Sequence, residues 1–430
     1  MRKLFSFALL FGWLLTASQA QTPQQPEPQT IADCLQAVQQ YAVRQADVAR
    51  KAGRQPNYRD YRAQAKELAK QYAARFKVQE LNEADLPTLA RLYLEADAPA
   101  LAREAINRRL KAANLSEGDR ADALVTAIGI MMNGSPSDED IKLGEAYTTQ
   151  VDALSNAVLK QKISAHSRMA GYYSYADIDN KNLEHNSAIL KLIDQLPAEE
   201  RKKYAGQKAS DYDGIALVQA NRGLTDKALE ILRQGKAEMD GTTALDRAIA
   251  RYSLVGQPGA PLEGTYWINA APGTKHLDLR GRVTLIQFTA HWCGPCRKSY
   301  PAMLKFHQQF NRRGLDVVMT TELYGYFDKR QDLKPEEEMA ANREYYLEHH
   351  KLPFKIAVEP RLDYADRSAA EAARRETNSG KYFVGGIPQI VLLDKQGIVR
   401  LVLIGWDPAN EARVTKLIEQ LLEETAVAKE

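Results

Sequence analysis

Two cysteines three positions apart, Cys293 and Cys296, constrain the fold of this 430-residue chain more than any other feature of its sequence. A run of apolar, often β-branched residues from Val283 to Thr289 precedes them and predicts a buried strand. The spacing of apolar residues from Cys296 to Arg313 predicts a helix, so the pair lies where a strand gives way to a helix. The free amides and the positive end of that helix favour the thiolate form of Cys293, which is the nucleophilic form.

The order of the two cysteines predicts their roles. Cys293, at the exposed start of the helix, is expected to attack a disulfide, and Cys296, one turn further in, is expected to resolve the mixed disulfide. Pro295 suits the first helical turn because the N–H that proline lacks would have no partner there. Three other interpretations remain open: a structural disulfide that closes a very short loop, half of a zinc site without an evident second ligand pair, and a redox-silent domain.

Residues 1–20 have the pattern of a signal peptide. A basic start at Arg2 and Lys3 precedes an apolar run from Leu4 to Leu15, and cleavage is expected after Ala20. An uncleaved membrane anchor is the alternative. Residues 21–30, rich in Gln, Thr and Pro, are expected to form a flexible tether. The sequence therefore predicts an exported protein, in the bacterial periplasm, with no membrane span in the mature chain.

The charge balance and the cysteine count exclude some classes of protein. The chain has 58 Lys and Arg against 55 Asp and Glu, a formal net charge of +3, which gives no electrostatic case for binding nucleic acid or anionic membranes. Three cysteines are too few for a disulfide scaffold. The third, Cys34, lies in a predicted helix beside apolar residues, and we interpret it as part of a buried core, with intermolecular pairing as the alternative.

The sequence predicts two regions of different fold class. Residues 31–252 have apolar residues at helical spacing and predict an all-α domain; in two stretches a small residue is followed twelve positions later by another, Ala90 by Ala102 and Ala216 by Ala228. This resembles the tetratricopeptide helical hairpin, and an irregular helical bundle is the alternative. Residues 253–262 predict a linker, since Gly and Pro recur there. Residues 263–430 alternate strand and helix patterns, which predicts an α/β domain with a central mixed sheet flanked by helices.

The segment from Gly264 to Leu422 resembles the thioredoxin superfamily, in particular exported thiol–disulfide oxidoreductases of the TlpA/ResA type. The motif Trp292-Cys-Gly-Pro-Cys296 carries the resemblance, with Pro301 where the family has a kinked first helix. Gly386-Ile387-Pro388, ahead of a predicted hairpin from Gln389 to Ile404, matches the cis-proline element of the family.

The resemblance implies which residues form the site. The Ile387–Pro388 bond would be cis and would pack against the cysteine pair, and the backbone of Ile387 would dock a substrate strand. Trp292 would belong to the catalytic motif together with the two cysteines, and Gly294 and Pro295 would contact the substrate. No cofactor and no metal are expected.

The chain departs from the family at the groups that handle protons. Gln287 stands where thioredoxin has a buried acid, and Ser299 stands where the TlpA/ResA type often has Glu. Glu322, at the end of a predicted parallel strand, is our candidate acceptor for the proton of Cys296, and an ordinary surface glutamate is the alternative. His291 would stabilise the Cys293 thiolate if it were protonated, and a solvated flank is its other interpretation.

These patterns favour a thiol–disulfide oxidoreductase that reduces the disulfides of client proteins and is recharged by a thiol electron donor in the membrane. Under this hypothesis the helical domain recruits clients or forms oligomers. A non-enzymatic helical scaffold that carries a thioredoxin-like module is the alternative. A thiol peroxidase is a third hypothesis, weakened because Ala290 stands where its motif has Thr.

Overall fold

The structure is a computed structural model that describes residues 28–51, 56–176, 179–362 and 367–424. The predicted signal peptide (1–20) and residues 21–27 of the predicted tether lie outside the described residues. Within the described part of the chain, no helix is long and apolar enough to cross a membrane.

The first part of the chain consists of α-helices, which we call the helical region (residues 31–253). Its helices are α1 (Ile31–Lys51), α2 (Tyr58–Ala73), α3 (Leu86–Glu95), α4 (Pro99–Leu110), α5 (Glu117–Met131), α6 (Asp138–Asp152), α7 (Leu159–Tyr175), α8 (Asp179–Asp194), α9 (Ala198–Lys203), α10 (Ala205–Asn221), α11 (Thr225–Glu238) and α12 (Asp246–Ser253).

Sequential helices of this region pack on one another in pairs. α3 packs on α4, α7 on α8 and α10 on α11, and the small residues that the sequence singled out are fully buried between helices: Ala90, Ala102, Ala216 and Ala228. Small side chains let the helix backbones approach closely, because no bulk separates the axes. Cys34 is also fully buried, in the core formed by α1 to α5.

The second part, which we call the α/β region (residues 262–424), begins after the Gly- and Pro-rich connection. Its elements are β1 (Leu262–Glu263), β2 (Tyr266–Ile268), β3 (His276–Leu277), β4 (Val283–Phe288), α13 (Gly294–Phe310), β5 (Leu315–Glu322), α14 (Pro335–Arg343), β6 (Lys355–Glu359), α15 (Arg367–Glu376), α16 (Asn378–Lys381), β7 (Gln389–Leu393), β8 (Val399–Ile404) and α17 (Ala409–Glu423).

Six of these strands form one mixed sheet, as the sequence predicts. Its order is β2-β6-β5-β4-β7-β8, with β4, β5 and β6 parallel and β2, β7 and β8 antiparallel to their neighbours. The hairpin of β7 and β8 lies at one edge. β5 ends at Glu322 on the same edge of the sheet at which β4 leads into the cysteines, because the two strands are parallel.

The two faces of the sheet are covered by different parts of the molecule. Helices α13 and α17 cover one face, where Phe306 and Ile418 join the core. On the other face, Ile286 and Phe288 share a core with α10, α11 and α12 of the helical region, including Tyr252. The sequence did not predict this shared core. It joins the helical region to the sheet through buried apolar surface, which is the main source of stability in such contacts.

Candidate active site

Cys293 and Cys296 form a disulfide at the start of α13, with their Cα atoms 5.3 Å apart. Cys293 is the N-cap of the helix: its Sγ accepts a hydrogen bond of 3.1 Å from the backbone N–H of Cys296. Pro295 lies in the first turn, where a missing N–H costs no helix hydrogen bond. In the reduced protein the same amide would face the Cys293 thiolate, which it would stabilise.

The exposure of Cys293 differs from the expectation, whereas that of Cys296 agrees with it. The sequence predicts an exposed Cys293, but the residue is only 3% exposed, and Cys296 is fully buried. Trp292 is 48% exposed, and Pro295 is also exposed. The backbone that covers Cys293 explains the difference, because the carbonyl oxygen of Ile387 lies 3.7 Å from its Sγ.

The Ile387–Pro388 peptide bond is cis, as the resemblance implies. It belongs to the segment 384–388, which we call the cis-proline loop and which precedes β7. Ile387 packs against both the core under α13 and the core shared with the helical region. The loop therefore places the Ile387 carbonyl beside the disulfide, and the Ile387 side chain packs against the cores on both faces of the sheet.

The two positions at which the resemblance would place acids, 287 and 299, hold neutral side chains that bond to the start of α13. Gln287 is fully buried, and its Nε2 donates a hydrogen bond of 3.4 Å to the carbonyl oxygen of Cys296. Ser299 is also fully buried, and its Oγ donates one of 2.7 Å to the same oxygen. Neither side chain is a carboxylate that could accept a proton from Cys296 at neutral pH.

Glu322, the candidate proton acceptor, lies half-buried at the end of β5. Burial raises the pKa of its carboxyl above the ordinary value, and the nearby Glu338 charge adds to the effect. Side chains alternate along a strand, and Val318 faces the core shared with the helical region, so Glu322 extends from the face opposite α13. No direct contact joins it to Cys296 among the described hydrogen bonds. Its role as proton acceptor stays a prediction.

A second buried carboxyl lies beside Glu322. Glu359 ends β6 directly opposite Glu322 in the register of the parallel pair. Burial raises its pKa to about 7, and the Glu322 charge contributes to the rise. Its Oε1 accepts a hydrogen bond of 2.9 Å from the N–H of Asn378. The sequence carried no signal for this pairing, because it depends on the register of β5 and β6, which are not adjacent in the sequence.

His291 is neither a solvated flank nor a cation. It is 6% exposed and stacks on Phe327 with ring centroids 4.4 Å apart, and it also contacts Tyr324 and Tyr326 edge-on. Burial lowers its pKa to about 4, so the ring is neutral at neutral pH and gives the Cys293 thiolate no full positive charge. Its Nε2 has no hydrogen-bond partner among the described residues.

The rings around His291 come from residues 324–330, which follow β5 and which we call the aromatic loop. Tyr324 of this loop also contacts Trp292, with ring centroids 5.6 Å apart. Glu338 of α14, only 1% exposed, fixes the start of the loop: its two carboxylate oxygens accept hydrogen bonds of 2.7 Å from the N–H groups of Tyr324 and Gly325.

A cleft of about 1790 Å³ opens beside the disulfide. The aromatic loop, Trp292 and Glu322 form one wall, and the first turn of α2, including Tyr58 and Arg59, forms the other. Arg59 approaches Asp328 across it, with Nη1 3.6 Å from a carboxylate oxygen. The volume of the cleft exceeds that of a typical small-molecule pocket, and its rings offer apolar contact surface.

The helical region also contains a buried polar chain that the sequence did not predict. The Nδ1 atoms of His166 and His185 lie 2.8 Å apart, and their outer nitrogens lie 3.2 Å from Asp152 and 3.3 Å from Glu145. Over the described ranges, no group of three or more His, Cys, Asp or Glu is arranged to bind a metal ion. We interpret this chain as a set of satisfied core hydrogen bonds.

Comparisons with known proteins give related sequences for part of the chain. It is 23% identical over 128 residues to the thiol-disulfide oxidoreductase ResA of Bacillus cereus and, to the same extent, to that of Geobacillus thermodenitrificans. The match covers 30% of this chain and 58% of each relative. The chain thus spans little more than half the length of these relatives. No protein-family model matches it.

Matches to solved structures cover a comparable share of the chain. A thioredoxin-like superfamily protein is 22% identical, over 39% of this chain and 98% of its own, with a TM-score of 0.30. A protein described as the thiol:disulfide interchange protein DsbE from Chlorobium tepidum is 24% identical, over 39% and 97%, with a TM-score of 0.28. From its sheet order, its cysteine-capped helix and its cis-proline loop, the α/β region has a thioredoxin-like fold, and over 128 residues the chain is similar in sequence to the ResA thiol–disulfide oxidoreductases.

Proposed function

We propose that the protein is an exported thiol–disulfide oxidoreductase that reduces disulfides in client proteins. The observation that carries the proposal is the disulfide at the N-cap of α13, 3.7 Å from the Ile387 carbonyl of the cis-proline loop. A thiolate formed there faces a helix amide and the backbone of the cis-proline loop, so the site can both activate a sulfur and dock a peptide.

The reaction proceeds in two exchanges. The Cys293 thiolate attacks one sulfur of the client disulfide; a Cys293–client bond forms, and the other client sulfur leaves as a thiolate that takes a proton from solvent. Cys296 then loses its thiol proton and attacks the Sγ of Cys293. The second client sulfur leaves and is protonated, and the Cys293–Cys296 disulfide remains. The client gains two electrons and two protons, which a dithiol electron donor in the membrane later restores to the enzyme.

The proton of Cys296 needs an acceptor in this second exchange. We propose Glu322, whose raised pKa lets it hold a proton closer to neutrality than an ordinary glutamate does. Because Glu322 lies on the face opposite α13 and no described hydrogen bond joins it to Cys296, this transfer requires water between the two groups; Glu322 lines the cleft that also includes Trp292, where such water can enter.

The remaining assignments rest on the sequence. The pattern of residues 1–20 supports export to the bacterial periplasm, where a client disulfide persists until an enzyme reduces it. The Gly-Pro pair between the cysteines is that of thioredoxin and favours a reductant. The cleft supports docking of a client segment between the aromatic loop and α2, with Trp292 in its lining. Gly294 and Pro295, in the first turn of α13 between the two cysteines, are proposed to contact the client at the disulfide.

Exchange with a peptide disulfide tests the proposal. The reduced protein and its Cys293→Ser and Cys296→Ser variants are mixed with a synthetic peptide that contains one disulfide. We expect the full-length protein to reduce the peptide, Cys293→Ser to be inactive, and Cys296→Ser to accumulate a mixed disulfide that mass spectrometry detects. Equal rates of peptide reduction by all three proteins would reject the proposed activity and favour the hypothesis of a non-enzymatic scaffold. Consumption of peroxide by Cys293→Ser with undiminished thiol turnover would overturn the assignment of Cys293 as the nucleophile.

The reduction potential of the pair tests the direction of transfer. Known values run from about −270 mV for thioredoxin to about −120 mV for a strong oxidant. We expect a value near the lower end, measured by equilibration with dithiothreitol or glutathione buffers. A value near the upper end would make the protein an oxidant or an isomerase.

A further inference from the structure

Two helices of the helical region contact the cis-proline loop or the strand that supports it. These contacts support an inference that rests on the proposed function. Within the loop, Ile387 places its carbonyl beside Cys293, so a client segment that reaches the sulfur passes this backbone. Small shifts of the loop therefore change how a docked peptide meets the sulfur, but they leave in place the helix amide that donates a hydrogen bond to it.

The first contact is made by α12. Arg251 is only 2% exposed, and its Nη2 donates a hydrogen bond of 2.7 Å to a carboxylate oxygen of Asp213 on α10. Its guanidinium lies so close to Gly385 that a Cβ at that position would collide with Nη1. A buried cation paired with Asp213 thus fills the space directly against the backbone of the loop.

A second arginine of the same helix holds the residue before Gly385. The Nη2 of Arg247 donates a hydrogen bond of 3.0 Å to the carbonyl oxygen of Val384. α12 consequently contacts two successive residues of the loop, one by a hydrogen bond to backbone and one by close packing.

The second contact is made by the end of α10. The side-chain amide of Asn221 pairs with the backbone of Ile404, donating at 2.9 Å to its carbonyl and accepting at 3.3 Å from its N–H. Ile404 pairs with Gln389, the residue after the cis-proline, in the β7–β8 ladder. The next N–H, that of Gly405, donates at 2.8 Å to the carbonyl of Pro388. Asn221 therefore fixes the strand that supports the far end of the loop.

We infer that α10 and α12 of the helical region position the cis-proline loop for client docking, with Arg251 and Asn221 as the positioning residues. Both touch the loop or its supporting strand, and neither contacts a cysteine among the described hydrogen bonds. The helical region is then part of the docking apparatus of the site. Removing either contact lowers the rate of exchange with peptide disulfides and leaves reactions that do not use the loop largely unchanged.

The test compares two reactions of the full-length protein. The first is the second-order rate constant for exchange between the reduced protein and a disulfide-containing peptide, whose docking uses the loop. The second is reduction of the Cys293–Cys296 disulfide by dithiothreitol, a small dithiol that needs no backbone docking. The variants are Arg251→Met, Arg251→Lys and Asn221→Ala.

Arg109 provides the matched control. It is 7% exposed, and its ion pair with Asp119 at 2.9 Å lies entirely within the helical region. Arg109→Met therefore removes a buried, paired arginine of the same kind without touching the loop. Melting temperatures of all variants show how much stability each change removes, and Asn221→Ala, at a half-buried position, keeps the test valid if Arg251→Met does not fold.

We expect Arg251→Met and Asn221→Ala to slow peptide exchange about 10-fold while dithiothreitol reduction is slowed by no more than about 2-fold, with partial recovery in Arg251→Lys and no effect in Arg109→Met. Equal rates for Arg109→Met and for the loop-contacting variants would overturn the inference, as would a parallel slowing of both reactions. If the unmodified protein fails to exchange with the peptide at all, the proposed function itself is wrong, and the two failures are thereby distinguished.

Discussion

The cis-proline loop and the aromatic loop flank the same disulfide, but different parts of the molecule hold them. The cis-proline loop lies against Arg251 of the helical region, a residue that is 2% exposed. The aromatic loop is fixed from within its own domain by Glu338, which is 1% exposed, and α2 reaches it through Arg59, whose side chain is 55% exposed. The helical region therefore contacts one side of the active site through a buried side chain and the other side only through an exposed ion pair.

The largest effect on stability is expected when the internal anchor of the aromatic loop is removed. Glu338→Ala leaves the buried N–H groups of Tyr324 and Gly325 without their acceptor. An unsatisfied buried group costs about 1–3 kcal/mol, so the free energy of unfolding should fall by about 4 kcal/mol in urea denaturation.

The matched control for this change is Glu336→Ala, at an exposed position on the same helix, which should alter the free energy of unfolding by less than about 0.5 kcal/mol. If both variants are equally stable, Glu338 is not the anchor of the aromatic loop, and the contrast between the two loops loses one of its sides.

A pH-dependent effect is expected on the same side. Burial lowers the pKa of His291 to about 4 from an ordinary value of 6.5, so between these values the unfolded chain binds a proton that the folded chain does not. The free energy of unfolding should therefore fall as pH drops from about 6.5 to about 4, by up to about 3 kcal/mol from this group.

His291→Phe should remove this component, since phenylalanine does not titrate. The difference in free energy of unfolding between the variant and the unmodified protein, measured by denaturant titration from pH 7 to pH 4, isolates the contribution of His291 from carboxyls such as Glu359, whose raised pKa acts in the opposite direction. A difference that does not change with pH would show that His291 is solvated and that the aromatic loop does not cover it.

The sequence predicted the elements of this site better than its surroundings. The strand before Cys293, the helix after it and the proline at 388 follow from local patterns: an apolar β-branched run, helical spacing, and a Gly-Ile-Pro element before a hairpin. Each of these signals lies within a few residues of the structure it predicts, which is why the sheet and its mixed character could be anticipated.

The environment of those elements depends on contacts that no local pattern encodes. The sequence around His291 indicates a cation or a solvated flank, but the aromatic loop more than thirty positions later buries the ring. The hydrogen bonds from Arg247 to Val384 and from Asn221 to Ile404 span 137 and 183 positions. Such contacts are set by how α10 and α12 pack on the sheet, and that packing becomes visible only in the assembled fold.

A moderate effect on the reaction is expected at Glu322, which stands on the aromatic side of the cleft. Because its pKa is raised, Glu322 loses its proton, and so becomes able to accept one, at a higher pH than an ordinary glutamate. The rate of client reduction should therefore rise with pH through that pKa. Glu322→Gln should lose this step of the pH profile and slow the second exchange about 10-fold at neutral pH.

Glu359→Gln is the control for this prediction. Glu359 is another buried carboxyl with a raised pKa, directly opposite Glu322 in the β5–β6 pair, but it does not line the cleft. Its replacement should leave the pH profile of disulfide exchange unchanged. An unchanged profile in Glu322→Gln would remove Glu322 from the mechanism, and solvent would then accept the proton of Cys296.

The smallest effect is expected at the contact between α2 and the aromatic loop. Arg59 and Asp328 are 55% and 71% exposed, and ion pairs between exposed side chains contribute about 0–1 kcal/mol because water screens them. Arg59→Ala should therefore change the free energy of unfolding by less than about 1 kcal/mol and the rate of peptide exchange by less than about 2-fold. Lys66→Ala, which removes a similarly exposed ion pair to Asp97 inside the helical region, is the matched control. A loss of peptide exchange in Arg59→Ala as large as that expected for Arg251→Met would mean that the helical region controls both sides of the disulfide, and the asymmetry between the two loops would have to be abandoned.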